Sequence, residues 1–138
     1  MNSFVKYQLP LIIWAIVIFI ESSIPSLRLP EIKSPIGPDK IAHFCIFLIF
    51  AVLSYRAFYY QSKFPKLKKY AIVISLILSS LYGYLDELHQ FFVVGRSYDM
   101  YDWTADTLGA LVYLAIVFFR RQNEKCNNGS TDSKYSLW

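Results

Sequence analysis

Four long hydrophobic runs constrain the fold of this chain more than any other feature. The runs are Leu9–Ile20, Ile41–Phe58, Ala71–Leu85 and Leu108–Phe119. A bilayer span needs about 20 predominantly apolar residues, and flanking Tyr, Trp and Ser residues bring each run close to that length. Because a backbone in lipid must satisfy its own hydrogen bonds, we predict an all-α membrane protein with four transmembrane helices.

The runs also divide the chain into a membrane domain and a tail. We predict helices over roughly residues 7–24, 40–60, 69–90 and 103–121, which together make residues 1–121 one transmembrane domain. The first run lacks a small-x-small cleavage site after its core, which favours a retained helix over a cleaved signal peptide. Residues 122–138 are polar and rich in Asn and Ser, so we predict a disordered cytoplasmic tail.

The basic residues predict the orientation of the helices. Four spans place both termini and the middle loop on one side, which carries ten of the 14 Lys and Arg residues; the other side carries Arg28, Lys33, Lys40 and Arg96. Lys and Arg accumulate in cytoplasmic loops. We therefore predict cytoplasmic termini and external loops over residues 24–38 and 91–103. The net charge of +4 is then a topology signal, and we predict no nucleic-acid binding.

Most acidic residues fall at the external ends of the predicted helices. The second helix begins with Asp-Lys-x-x-His, the third ends with Asp-Glu-x-x-Gln, and the fourth begins with Asp-x-x-x-Asp. Residues three or four apart share a helix face, so Asp39 can pair with His43, Glu87 with Gln90, and Asp102 with Asp106. Under this topology the following residues converge at one membrane boundary: Asp39, Lys40, His43, Asp86, Glu87, Gln90, Arg96, Asp102 and Asp106.

Two interpretations of this convergence remain open. In the structural one, Lys40 and Arg96 neutralise the acids and hold the helices together. In the functional one, the carboxylates outnumber the cations, so some of them hold a proton or a cation. A carboxylate–His pair could perform acid–base chemistry, with Glu87, His43 and Asp106 as the catalytic candidates. The ligand-binding candidates are Asp39, Lys40, Gln90, Arg96 and Asp102.

The same residues could also hold a metal ion. Histidine and carboxylate side chains at one site can ligate a divalent metal. The chain contains no metal motif of defined spacing. The sequence therefore leaves a divalent metal open as a cofactor without assigning its ligands.

At these residues the chain resembles the VanZ-like family of small bacterial membrane proteins. The resemblance begins at Ser22-Ser23-Ile24-Pro25 and reaches Gly109. Its core motifs are Asp39-Lys40-x-x-His43, Asp86-Glu87-x-x-Gln90-x-x-x-x-Gly95-Arg96 and Asp102-x-x-x-Asp106-x-x-Gly109. The chain has Val94 where the family often has Pro, and Asp106 where it often has Asn.

The resemblance implies a protein of the bacterial cell envelope, whose founding relative is associated with resistance to the lipoglycopeptide teicoplanin. Our leading hypothesis is an inner-membrane protein that acts at the outer face on, or with, a lipid-linked envelope precursor or an amphiphilic antibiotic. The alternatives are a membrane-embedded hydrolase or transferase that uses the carboxylate–His cluster, and a non-catalytic scaffold for an envelope complex. The partners we expect are the lipid bilayer and a lipid-linked envelope precursor or an amphiphilic antibiotic, and the sequence leaves the oligomeric state open.

Overall fold

The computed structural model describes residues 2–25 and 37–135, with side chains described as far as residue 126. A π-helical turn at Phe4–Gln8 leads into α1. The α-helices are α1 (Leu9–Ser22), α2 (Pro38–Tyr59), α3 (Pro65–Lys69), α4 (Ala71–Gln90) and α5 (Met100–Tyr135). Within the described ranges, four helical segments are long and apolar enough to cross a membrane: Phe4–Ser22, Pro38–Tyr59, Ala71–Gln90 and Met100–Cys126. The prediction of an all-helical chain with four such spans is confirmed.

Local chemistry explains where these helices begin and how long they are. Proline is the first residue of α2 and of α3, where its missing N–H leaves no helical hydrogen bond unmade. At about 1.5 Å per residue, a helix of 20 residues is about 30 Å long, which matches the hydrocarbon thickness of a bilayer. Gly95 turns the chain between α4 and α5 with a φ of 83°, a conformation that glycine adopts without strain.

Helix α2 lies at the centre of the bundle and packs most extensively against α5 and α4. Phe47 and Phe50 of α2 pack with Ile18 of α1 on one side, and Ala51 packs near Leu114 of α5 on another. The outward faces carry large apolar side chains, among them Ile16, which is 52% exposed, Ile77, which is 61% exposed, and Phe119, which is 64% exposed. An apolar exterior of this extent suits contact with lipid rather than water.

A glycine allows α2 and α5 to lie very close together. A Cβ atom on Gly109 of α5 would collide with the backbone carbonyl oxygen of Phe44 in α2. Small residues at such crossings let helix backbones approach in membranes. The crossing therefore places His43, which precedes Phe44 in α2, beside Asp106, which lies one turn before Gly109 in α5.

The last helix extends beyond the fourth predicted span. We predicted that this span ends at residue 121, and α5 continues to Tyr135. The disordered, cytoplasmic tail over residues 122–138 stays a prediction. Proline is absent from the sequence after Pro65, so no residue without an N–H interrupts the hydrogen bonding of α5. Residues 26–36, which include Arg28 and Lys33 of the first predicted external loop, lie outside the described residues.

Candidate functional site

Charged and polar side chains from the ends of α1, α2, α4 and α5 meet at one end of the bundle. We call this group the polar cluster. Its members are Glu21, Asp39, Lys40, His43, Asp86, Glu87, Gln90, Arg96, Asp99, Asp102 and Asp106. The structure therefore brings together all the candidate residues that the sequence selected, and it adds Glu21 and Asp99.

Lys40 joins α2 to the start of α5 through a group of carboxylates. Its Nζ atom lies 2.9 Å from Asp99 Oδ2, 3.1 Å from Asp102 Oδ1 and 3.2 Å from Asp39 Oδ2. The Lys40 side chain is only 12% exposed, whereas that of Asp39 is 59% exposed. The positive charge of Lys40 is thus balanced inside the protein, as the structural interpretation expects.

Asp99 precedes α5 and lies outside the membrane-spanning segments. Partial burial acts to raise the pKa of its carboxyl group, but hydrogen bonds from Lys40 and from the backbone N–H of Tyr101 outweigh burial and lower that pKa. Asp99 is therefore ionised at neutral pH. Its own backbone N–H donates a 3.0 Å hydrogen bond to Glu87 Oε2. One loop residue thereby contacts both Lys40 on α2 and Glu87 on α4.

The centre of the polar cluster is a trio on three helices, formed by His43, Glu87 and Asp106. His43 Nδ1 lies 3.0 Å from Asp106 Oδ1 and 4.0 Å from Glu87 Oε1. The His43 side chain is 13% exposed, and both carboxylate side chains are fully buried. We call these three residues the central trio.

Each carboxylate of the central trio has a buried oxygen without a partner. Among the described residues, nothing donates a hydrogen bond to Glu87 Oε1 or Asp106 Oδ2. Buried polar atoms are nearly always hydrogen-bonded, and ionisable groups inside a membrane domain are costly to retain. Packing within the described residues does not account for these two oxygens, which a proton, a bound cation or an ordered water would satisfy.

Small residues create the space for the central trio. A Cβ atom on Gly83 of α4 would lie 2.8 Å from Asp106 Oδ2. Any side chain at position 83 would therefore press on the Asp106 carboxylate. Together with the close crossing at Gly109, this space lets acids on α4 and α5 approach His43 on α2.

Arg96 forms a second group of contacts, on the α1 side of the polar cluster. Its Nη2 atom lies 2.8 Å from Glu21 Oε1 and donates to the Glu21 carbonyl oxygen at 2.9 Å. Its Nη1 atom donates to Gln90 Oε1 at 3.4 Å, and Gln90 Nε2 in turn donates to Asp86 Oδ2 at 3.0 Å. Arg96 thus connects the end of α1 to the end of α4.

The partners inside the cluster differ from the pairs that helix spacing suggested. His43 pairs with Asp106 on α5, and Gln90 pairs with Asp86. Glu21 and Asp99 were missed as site residues because each contacts its partner across the fold. His89 stands apart, since its Nε2 atom is 3.0 Å from Ser23 Oγ and its ring stacks on Phe19.

Comparison with known proteins identifies one family. The family model described as VanZ/LLP1 matches residues 7–121, a range that includes every member of the polar cluster. No curated protein and no solved structure is significantly similar to the chain.

Proposed function

We propose that this chain, which belongs to the VanZ/LLP1 family, works at the outer face of the bacterial inner membrane. There it acts on, or with, a lipid-linked envelope component or an amphiphilic lipoglycopeptide. The observation that carries this proposal is the pair of unpartnered carboxylate oxygens on Glu87 and Asp106, both on fully buried residues of membrane-spanning helices. Intramembrane ionisable groups of this kind usually mark functional sites.

The charge distribution supports an external position for the polar cluster. The starts of α2 and α5 and the end of α4 lie on the side that carries four of the 14 basic residues. Because Lys and Arg accumulate on the cytoplasmic side, the cluster belongs to the external side and both termini to the cytoplasm.

The two cations of the cluster suit an anionic headgroup at its rim. The Asp99 side chain that contacts Lys40 is 34% exposed, so a phosphate group can reach Lys40 by replacing this carboxylate. Arg96 is 18% exposed and carries a guanidinium, which can bind phosphate through two parallel hydrogen bonds. The central trio then lies beneath the bound headgroup.

Drug susceptibility tests this proposal. The full chain would be expressed in a glycopeptide-sensitive bacterium, and the inhibitory concentrations of teicoplanin and vancomycin would be measured. Glu87→Gln removes one charge of the central trio, and Glu124→Gln makes the same change at an exposed position near the other end of α5. Membrane levels of the three proteins would be matched.

We expect the wild type and Glu124→Gln to protect selectively against teicoplanin, and Glu87→Gln to lose that protection. If the wild type is well expressed and gives no protection, the proposed link to teicoplanin is wrong. If all three proteins protect equally, the proposed role of the central trio is wrong.

A second candidate function is enzymatic. The 3.0 Å contact between His43 Nδ1 and Asp106 Oδ1, with Glu87 Oε1 4.0 Å from the same nitrogen, is an arrangement that can move a proton. A hydrolase or transferase acting on a lipid phosphate would use this arrangement for proton transfer. Purified protein that turns over such a lipid, and loses turnover in Glu87→Gln, would favour this candidate.

A non-catalytic scaffold is the third candidate, and the ion pairs of Lys40 and Arg96 favour it. In a scaffold these ion pairs and the central trio serve to hold the helices together. This candidate predicts that Glu87→Gln lowers the amount of folded protein and that one specific envelope protein co-purifies with the wild type.

A further inference from the structure

We propose that the central trio binds one divalent metal ion through His43 Nδ1, Glu87 Oε1 and an oxygen of Asp106. One donor comes from each of α2, α4 and α5. A bound ion would therefore link the three helices that form most of the bundle's packing.

The donor atoms are close enough together to share one ion. All three lie within 4.8 Å of one another. Bonds of about 2.0–2.2 Å to a common ion place ligand atoms roughly 3–4 Å apart. Small side-chain rotations that bring the donor atoms about 1–2 Å closer together would close the remaining gap. His43 Nδ1 would exchange its contact with Asp106 Oδ1 for a bond to the ion.

The unpartnered oxygens are the independent sign of a missing ligand. Glu87 Oε1 and Asp106 Oδ2 belong to fully buried side chains and lack a hydrogen-bond donor within the described part of the chain. Two carboxylates and one divalent cation sum to zero charge. An ion would therefore satisfy both oxygens and remove the cost of burying two like charges side by side.

The surroundings of the trio resemble those of a built metal site. The backbone N–H of Asp99 donates to Glu87 Oε2, which leaves Oε1 directed at His43. Hydrogen bonds of this kind orient metal ligands and raise affinity. Gly83, which has no side chain, lets the Asp106 carboxylate pack directly against α4 and so brings it near Glu87.

The donor types limit which ion fits. An imidazole nitrogen suits Zn²⁺ and other transition metals, whereas carboxylates also suit Mn²⁺ and Mg²⁺. One nitrogen and two oxygens together favour Zn²⁺ or Mn²⁺. Three protein ligands leave coordination positions open, as in sites that bind a further ligand. Binding of the ion itself does not depend on the proposed function. Binding of a headgroup phosphate at an open coordination position of that ion does rest on the proposed function.

Metal binding by the purified full chain tests this inference. The protein would be prepared in detergent without a polyhistidine tag, stripped with EDTA, and titrated with Zn²⁺ and with Mn²⁺. Bound Zn²⁺ would be counted by mass spectrometry and bound Mn²⁺ by electron paramagnetic resonance. Glu87→Gln and His43→Asn each remove one ligand. Glu124→Gln and His89→Asn make the same changes outside the trio.

We expect one ion per wild-type chain and binding more than about 100-fold weaker in Glu87→Gln and His43→Asn, because each lacks a direct ligand. The two control variants should bind like the wild type. A wild-type chain that takes up neither metal at millimolar concentration overturns the inference, whatever the variants do. Metal that survives both ligand substitutions also overturns it. Because this readout is metal content, its failure is separate from a failure of the susceptibility experiment.

Discussion

His43 Nδ1 lies 3.0 Å from Asp106 Oδ1, and this contact connects α2 to α5 inside a membrane domain. The contact depends on Gly109, one turn along α5 from Asp106, where a Cβ atom would collide with the Phe44 carbonyl. A buried imidazole–carboxylate pair is therefore held by a backbone crossing that only a residue without a side chain allows.

Gly109→Ala should separate α2 from α5. The added methyl group meets backbone, which cannot move aside as a flexible side chain would, so we expect a stability loss of about 1–3 kcal/mol. Thermal unfolding in detergent would measure it. Leu108→Ala, at a position that is 48% exposed to lipid, is the matched control and should change stability much less. Equal stability of Gly109→Ala and the wild type would show that the crossing is looser than described.

Lys40→Met should destabilise the bundle because it leaves Asp99 and Asp102 without their cation. Breaking a fully buried pair costs about 3–5 kcal/mol, and the partial exposure of Asp99 reduces that to about 2 kcal/mol. Urea or thermal unfolding would measure the loss. Lys66→Met, on an exposed lysine of α3, is the control. If Lys40→Met is as stable as this control, the ion pairs of Lys40 do not stabilise the helix packing.

Acid should weaken the fold partly through Asp99. Its pKa is lowered in the folded protein, so the folded state favours the ionised form. The resulting stabilisation is present above the unfolded pKa of about 3.9 and is lost as pH falls below that value. Stability measured against pH should therefore decline less steeply below about pH 4 in Asp99→Asn than in the wild type. Parallel curves for the two proteins would contradict the predicted linkage.

Arg96→Ala should release the end of α1. Arg96 contacts both the carboxylate and the carbonyl oxygen of Glu21, and it donates to Ile24 at 3.3 Å. Hydrogen exchange near residues 21–25 should become faster, because local opening costs less when these contacts are gone. Arg120→Ala, at an exposed position on α5, should leave that exchange unchanged. Unchanged exchange in Arg96→Ala would show that other contacts hold α1.

Labelling of cysteines in intact cells tests the orientation. In a Cys45→Ser background, an impermeant thiol reagent should label a Tyr98→Cys variant, because position 98 belongs to the predicted external loop. Native Cys126, beyond the last apolar run, should be labelled only after the cells are opened. The reverse pattern would place the polar cluster at the cytoplasmic face.

The sequence predicted the spans and the convergence of most residues of the polar cluster, because both depend on local patterns; that these residues form a functional site stays a prediction. Apolar runs identify membrane helices, and the positions of Lys40, Glu87 and Asp106 relative to those runs place them at one membrane boundary. Partner choice was not predictable in this way. The contact between Lys40 and Asp99 joins residues 59 positions apart and depends on the turn at Gly95. The apolar run ends at Phe119, so the sequence pattern predicts where the fourth span ends but not how far α5 continues beyond it.

The most direct test of the central claim compares function with stability in Glu87→Gln. If Glu87 is kept for function, replacing a buried and partly unpartnered carboxylate by a neutral amide of the same shape should leave thermal stability unchanged or raise it. The decisive measurement is teicoplanin protection by Glu87→Gln at a folded protein level equal to that of the wild type. We predict that Glu87→Gln loses protection while it remains at least as stable as the wild type. Full protection by this variant would show that the function does not need the Glu87 carboxylate.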